Sequence, residues 1–186
     1  MRRDWKPLYK SRLTTAEKAL EVIRSGQRVL VGSGCAAPQE LLRALVKRAP
    51  MVSDVELVHL LTFGIAPYVD PAYEGSFRHN AFFIGSNVRE AIQEGRADYS
   101  PIFLSEIPNL FFSKQMRLDV VLVMLGPPDP FGYCSLGIHP DITLAGIKAA
   151  RTIVAQINRH MPRVHGDTFV HVSDLDAIVE HDDPLL

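Results

Sequence analysis

Three short segments hold residues whose types and spacing could do chemistry. The first is "GSGCAA", residues 32–37, which matches the GxGxxA spacing of dinucleotide-binding turns. Gly32 and Gly34 would let the chain pass close to a ligand. The amides entering the following helix would favour an anion or a developing oxyanion. A nicotinamide reading also requires an acid at the end of the second strand, to hold the ribose. Here the acids, Asp54 and Glu56, sit at the start of "DVELVHLL" and its end is apolar. That reading is set aside, and either an anion-facing turn or a plain strand-to-helix turn stands in its place. The second segment is "LSEIP", residues 104–108. Ser105 and Glu106 there form either a helix cap with an acid near the dipole's positive end or a catalytic carboxylate with its neighbour. The third is "GPPDPFGYCSLG", residues 126–137. Pro127, Pro128 and Pro130 fix φ and remove amide donors, and Asp129 and Gly132 suit turns. So stiff a loop holds a ligand or another domain in place, or it is a rigid connector with Phe131 and Tyr133 packed over it.

Other chemistry finds less support. The seven histidines show no HExxH spacing, and the two cysteines, Cys35 and Cys134, form no CxxC. No metal site is expected. His59, His79 and His139 read as lone, hydrogen-bonded structural histidines. The cysteines read as free thiols of a cytoplasmic protein. The 186 residues carry a net charge of -1, with 47% hydrophobic and 22% charged residues. No basic stripe appears, which speaks against nucleic acid as a partner. The start, "MRRDWKPLYKSR", has no apolar run behind its arginines, so no signal peptide is expected. The longest apolar runs are shorter than a membrane span.

The elements that must position these segments alternate. Residues 13–27 read as a helix capped by Thr14 or Thr15 and ended by Gly26. "RVLVG" is a strand, residues 33–49 turn into a helix with Leu41, Leu42, Leu45 and Val46 on one side, and "DVELVHLL" is a second strand. Such a unit predicts parallel pairing. Residues 62–80, rich in Pro, Gly and aromatics, read as an ordered loop. "AFFIG" reads as a strand, residues 86–96 as a helix capped by Ser86 or Asn87, "YSPIFL" as extended chain and residues 105–114 as a short helix. "LDVVLVML" is apolar on both faces and is assigned to the sheet centre. Burial of its side chains is worth about 1.5–3 kcal/mol each before entropy is counted. Residues 141–151 read as a helix, "TIVAQIN" as a strand, and "FVHVSDLDAIVE" as one or two more. The predicted class is therefore α/β, an open, mainly parallel sheet with helices on both faces. The chain stops at "HDDPLL", straight after a strand-like run, and this ending reads as a cut through a longer chain.

In order along the chain, "VGSGCAAPQELLRALV", the long block from "HLLTFGIAPYVDP" through "FRHNAFFIGSNVREAIQEGRADYSPIFLSEIP", "DVVLVMLGPPDPFGYCSLG" and "HGDTFVHVSDLDAIVE" resemble the N-terminal half of the acetyl-CoA hydrolase/transferase family. The chain looks most like its 4-hydroxybutyrate CoA-transferases and butyryl-CoA:acetate CoA-transferases. The resemblance implies a CoA-transferase type of α/β domain over residues 1–186 and a C-terminal domain of the same protein that this chain lacks. It implies ping-pong transfer of CoA from an acyl-CoA to a short-chain carboxylate through a glutamyl-CoA thioester, a covalent route that splits one hard step. No permanently bound cofactor is implied; the coenzyme A thioester is a substrate. The family's nucleophilic glutamate lies beyond residue 186, so Glu106 is not assigned that role and the isolated chain is expected to be inactive. The substrate-facing set implied here is Gly32, Ser33, Gly34, Cys35 and Pro38, with Ser105 and Glu106. Pro127, Pro128, Gly132, Tyr133, Ser135 and Gly137 belong to the same substrate-binding set and would also brace the domain interface. An exposed apolar face and self-association are expected of such a half-enzyme. The alternatives are an acetyl-CoA hydrolase, a stand-alone binding domain, and a sugar-phosphate isomerase on a related fold. The last needs an acid/base pair within one domain, and no convincing pair is found.

Overall fold

A computed structural model describes residues 4–186 of the chain. Helix α1 (Lys6–Arg12) and the short α2 (Ala16–Ala19) precede β1 (Arg28–Val31), α3 (Gln39–Val46) and β2 (Val55–His59). Strand β3 (Phe77–Ala81), α4 (Arg89–Gln93), β4 (Ala97–Tyr99) and α5 (Ile107–Phe112) follow. Then come β5 (Val120–Leu125), β6 (Tyr133–Ser135), α6 (Thr143–Ala149), β7 (Thr152–Ile157), β8 (Phe169–His171) and β9 (Ala177–Glu180). Seven strands form one sheet in the order β4-β3-β2-β1-β5-β7-β9. Every neighbouring pair in it is parallel.

A fully parallel sheet must be covered on both faces, and alternate residues of each strand serve the two sides. From β5, Val120 and Leu122 join Leu41, Leu42 and Leu45 of α3 and Ala16 and Ala19 of α2. Val121, Val123 and Leu125 join Ile107 and Phe111 of α5, Ala145 and Ile147 of α6, and Tyr9 of α1. The α/β class with helices on both faces is the fold found.

Several boundaries depart from the sequence reading. β5 is buried throughout, yet the middle strand is β1, with three strands on each side. An apolar run reports cover on both faces, and that condition holds for every interior strand, so it cannot fix the order. The third strand is Phe77–Ala81, mostly inside the expected loop and overlapping "AFFIG" only at Ala81. Its polar residues hid it. Asn80 donates to Glu56 at 3.0 Å and accepts from Ser100 at 2.9 Å, and Arg78 pairs with Asp98 on β4. Polar pairing across strands takes the place of apolar alternation there.

The first helix is only Ala16–Ala19 with a tighter turn after it, although Thr15 does cap it, accepting from the Lys18 amide at 3.3 Å. Neither Ser86 nor Asn87 caps α4; Asn87 instead donates to Thr62 and to the Gly64 carbonyl, each at 3.3 Å. β6 and β8 pair antiparallel as a separate ribbon, so the proline-rich loop runs into a strand. Helix α1 was not anticipated. It is tied to the edge strand β9 by the Tyr9 hydroxyl donating to Glu180 at 2.7 Å and to the turn after β8 by Arg12 donating to the Val172 carbonyl at 2.7 Å.

Candidate functional site

Because all seven strands are parallel, their carboxyl ends lie along one edge, and the turns that leave them gather there. The Gly32–Cys35 turn leaves the middle strand and is stitched on both sides. The Gly32 amide donates to the carbonyl of Leu122, within β5, at 2.8 Å. The Gly34 amide donates to Leu61 at 2.6 Å, and the Gly34 carbonyl accepts from the Phe63 amide at 3.2 Å. Gly34 has φ +62, a left-handed value that favours glycine. A Cβ at Gly32 would sit 3.3 Å from the Leu122 carbonyl and 3.4 Å from the His139 ring. Both glycine amides are taken by backbone carbonyls, Leu122 of β5 and Leu61 just after β2.

Ser33 is 2% exposed, and its hydroxyl donates to the Asp141 carboxylate. The other oxygen of Asp141 accepts from the Thr143 amide at 2.9 Å and the Thr143 hydroxyl at 2.8 Å, just ahead of α6, whose N-cap residue Ile142 makes no side-chain bond. Thr143 Oγ1 lies 3.4 Å from Nδ1 of His139, whose Nε2 donates to the Met124 carbonyl at 2.7 Å. Burial holds the His139 imidazole below its usual value, against the opposing effects of that carbonyl and of Asp141. Cys35 is half-buried on the outer side of the turn. Pro38 is buried and opens α3 without a side-chain cap; the Glu40 amide finds Gln156 Oε1 at 3.2 Å instead.

A strap formed by residues 182–186 crosses these strand ends. Gln156 at the end of β7 donates to the Asp183 carboxylate at 2.8 Å, and Asn158 donates to the Asp183 carbonyl at 2.8 Å. Leu185 packs on Ala36, Met124 and Met161. The Leu186 amide reaches the Cys35 carbonyl at 3.4 Å. Sequence reasoning missed Asp141, Thr143, Gln156, Asn158 and Asp183. A signal existed for two of them: Gln156 and Asn158 are polar residues closing the otherwise apolar strand "TIVAQIN".

The other expected site residues lie apart from this turn. Ser105 and Glu106 are exposed, beside a shallow depression formed with Ile102, Asn109, Leu110, Ser113 and Gln115. Ser105 makes no cap, which corrects that alternative: Phe103 and Glu106 stand at the N-cap positions, neither with a side-chain bond. Gly132, Tyr133, Ser135 and Gly137 form an internal brace. Asp129 Oδ1 accepts from the Phe131 and Tyr133 amides at 2.8 and 2.9 Å, and its other oxygen accepts from Arg163 at 2.7 Å. Burial pushes the Asp129 carboxyl up, but those amides and the guanidinium prevail and its pKa lies below the usual carboxylate range. Arg163 also stacks 4.5 Å over Phe169. Ser135 Oγ accepts from the Gly137 and Val164 amides at 3.1 and 3.2 Å. Pro127 and Pro128 line a separate groove of about 750 Å³ with Trp5, Lys10, Ile157 and Arg159.

The three lone histidines divide. His79 and His139 each bond a backbone carbonyl, as expected. His59 corrects the expectation, for it is buried with neither ring nitrogen partnered and is stacked on His79. Cys35 and Cys134 are free thiols. Exposed aromatics follow the carboxyl ends of β2, β3 and β4: Phe63, Phe83, Tyr99 and Phe103, the last 77% exposed.

This architecture is shared with known proteins. The chain is 42% identical over 183 residues to the 4-hydroxybutyrate coenzyme A transferase of Clostridium kluyveri, covering 98% of this chain and 43% of that protein. It is 42% identical over 164 residues to the succinyl-CoA:acetate/propanoyl-CoA:succinate CoA transferase of Fasciola hepatica, covering 87% of this chain and 34% of that one. The crystal structure of a 4-hydroxybutyrate CoA-transferase from Porphyromonas gingivalis superposes with a TM-score of 0.81 at 28% identity, over 98% of this chain and 42% of that chain. The chain thus spans less than half the length of these relatives. The sequence model of the acetyl-CoA hydrolase/transferase N-terminal domain matches residues 1–186, and the chain belongs to that family.

Proposed function

We propose that the protein containing this domain transfers coenzyme A between an acyl-CoA and a short-chain carboxylate, and that residues 32–35 form one wall of the acyl pocket. The observation that supports this best is the match of the whole chain to the family's N-terminal domain, joined to a strand-end turn beside which Asp141 and His139 are taken up by Ser33, Thr143 and the Met124 carbonyl. A glutamate supplied from outside residues 1–186 attacks the thioester and expels CoA thiolate, giving an acyl-glutamyl anhydride; the thiolate then attacks the glutamyl carbonyl, releasing the first carboxylate and leaving a glutamyl-CoA thioester. The second carboxylate attacks that thioester and the same two steps run in reverse, giving the new acyl-CoA and the free glutamate. The domain contributes a rigid wall to that chemistry. Glu106, exposed and apart from the turn, is not the nucleophile. Acetyl-CoA with butyrate or 4-hydroxybutyrate are the substrates of choice for testing, since relatives named for such acids align over nearly all of the chain. The protein is read as cytoplasmic, and the exposed aromatics beyond β2, β3 and β4 are read as a surface for the second domain or a second copy.

The test is CoA exchange by the complete protein, resolved chromatographically with and without an acceptor acid. Acceptor-dependent formation of the new thioester is the expected result. Release of free CoA at the same rate without acceptor would identify a hydrolase instead. Turnover by residues 1–186 alone would overturn the assignment of the nucleophile to another part of the protein.

A further inference from the structure

We propose that Asp141 is a positioning residue, fixing the Gly32–Cys35 turn through the Ser33 hydroxyl. The proposal rests on the reading of that turn as a substrate wall. Two sides of the turn are already held by backbone, Gly32 to Leu122 on the β5 side and Gly34 to Leu61 on the β2 side. The Ser33 side chain is the point through which the α6 side reaches it. Its hydroxyl is buried and needs a partner, and Asp141 supplies one. Asp141 has no ion-pair partner among the described residues. Its hydrogen bonds go instead to Ser33 and to the amide and hydroxyl of Thr143. The assembly is anchored below by His139, which bonds Met124 at 2.7 Å and packs against Gly32. A carboxylate accepts from both sides at once, so the Ser33 hydrogen is committed and the turn has one position relative to β1, β2 and β5. Walls of reaction sites need that precision, because displacements of the order of 1 Å are costly in rate.

Asp141→Asn separates this role from the turn that leads into α6. The amide oxygen still accepts from the Thr143 amide, but an NH2 group now faces Ser33, whose hydroxyl must turn round to accept. In the complete protein, D141N is expected to melt within about 3 °C of the parent, the shift of a sub-kcal/mol change. Its kcat/KM for CoA transfer should fall about tenfold or more. The double variant S33A/D141A should lose no more than about twofold beyond the weaker of its two single variants, because the residues act as one unit. A second readout needs no activity. Cys35 sits on the turn, so its alkylation rate, read from its own peptide by mass spectrometry, should change at least about threefold in D141N, with buried Cys134 as the internal control. Parent-like kcat/KM in D141N, losses that multiply in the double variant, or an unchanged Cys35 rate would each overturn the proposal. A parent protein that transfers CoA to no acid would defeat the functional reading instead, while the Cys35 rates would still decide the positioning role.

Discussion

Lowering the pH should weaken this domain through two buried histidines. His59 and His79 stack with ring centroids 4.1 Å apart and planes at 20°. His79 Nδ1 donates to the Leu57 carbonyl at 3.1 Å, and its Nε2 and both nitrogens of His59 have no partner among the described residues. Neither ring can be charged there without losing its hydration. Burial pushes His79 from 6.5 to about 4, with the Leu57 carbonyl and Asp98 opposing it. His59 is pushed well below its usual value by burial and then by His79. Both folded values lie below the unfolded one, so the unfolded chain takes up protons first. Stability is therefore fully present above about pH 6.5 and is lost as pH falls from there towards about 4. For His79 alone the whole displacement corresponds to about 3 kcal/mol, and the part reached by pH 5 to about 2 kcal/mol. Against a typical total of about 5–15 kcal/mol that is a large share. Urea unfolding at pH 7.5 and pH 5, for the parent and for H59L/H79L, measures it. Carboxylates titrate in both proteins, so the difference between the two slopes isolates the histidines. An equal loss of stability in parent and double variant would refute the reasoning.

Gly132→Ala should destabilise the domain by about 1–3 kcal/mol in chemical denaturation, because φ is +87 and the new Cβ would sit 2.7 Å from Trp5 Cγ and 2.8 Å from His171 Nε2. Cys35 should react with maleimide in the folded protein while Cys134 reacts only on unfolding, since burial pushes the Cys134 thiol up to about 12; equal labelling of the two would count against the described packing. Glu106→Gln in the complete protein should leave CoA transfer within about twofold of the parent, and a loss of several orders of magnitude would reinstate Glu106 as a catalytic carboxylate.

The parts of this fold that were legible in the sequence are those where burial on two faces forces continuous apolar runs. β1, β2, β5 and β7 were placed because Val, Leu and Ile leave no other use for such segments. β3 was not, because its register is held by Asn80, Arg78 and partners on β2 and β4 that no local window contains. The glycine turn was legible as a turn, but its acceptors were not, since Leu61 and Leu122 come to it only through sheet order. Asp141 was invisible for the same reason. It lies 108 positions from Ser33, and its sequence setting, "HPDIT", reads as an ordinary helix start.

The polar end of β7 shows why the open part of the strand-end edge lies at β1 and β2. An apolar strand gains nothing by ending in Gln156 and Asn158 unless each is satisfied. Both are buried, and they meet Asp183 through its carboxylate and its carbonyl. Asp183 is buried too, and Arg43 approaches it at 3.4 Å. This set holds the strap in place, and Leu185 then fills the space over Ala36, Met124 and Met161. The ends of β5 and β7 are closed by these contacts. Gly34, Cys35 and Phe63 keep accessible surface beside Leu186, on a turn pinned by β5, β2 and Asp141. Under the proposed function, a ligand approaching this edge would meet one rigid, half-open wall, and the attacking group would be presented from the opposite side.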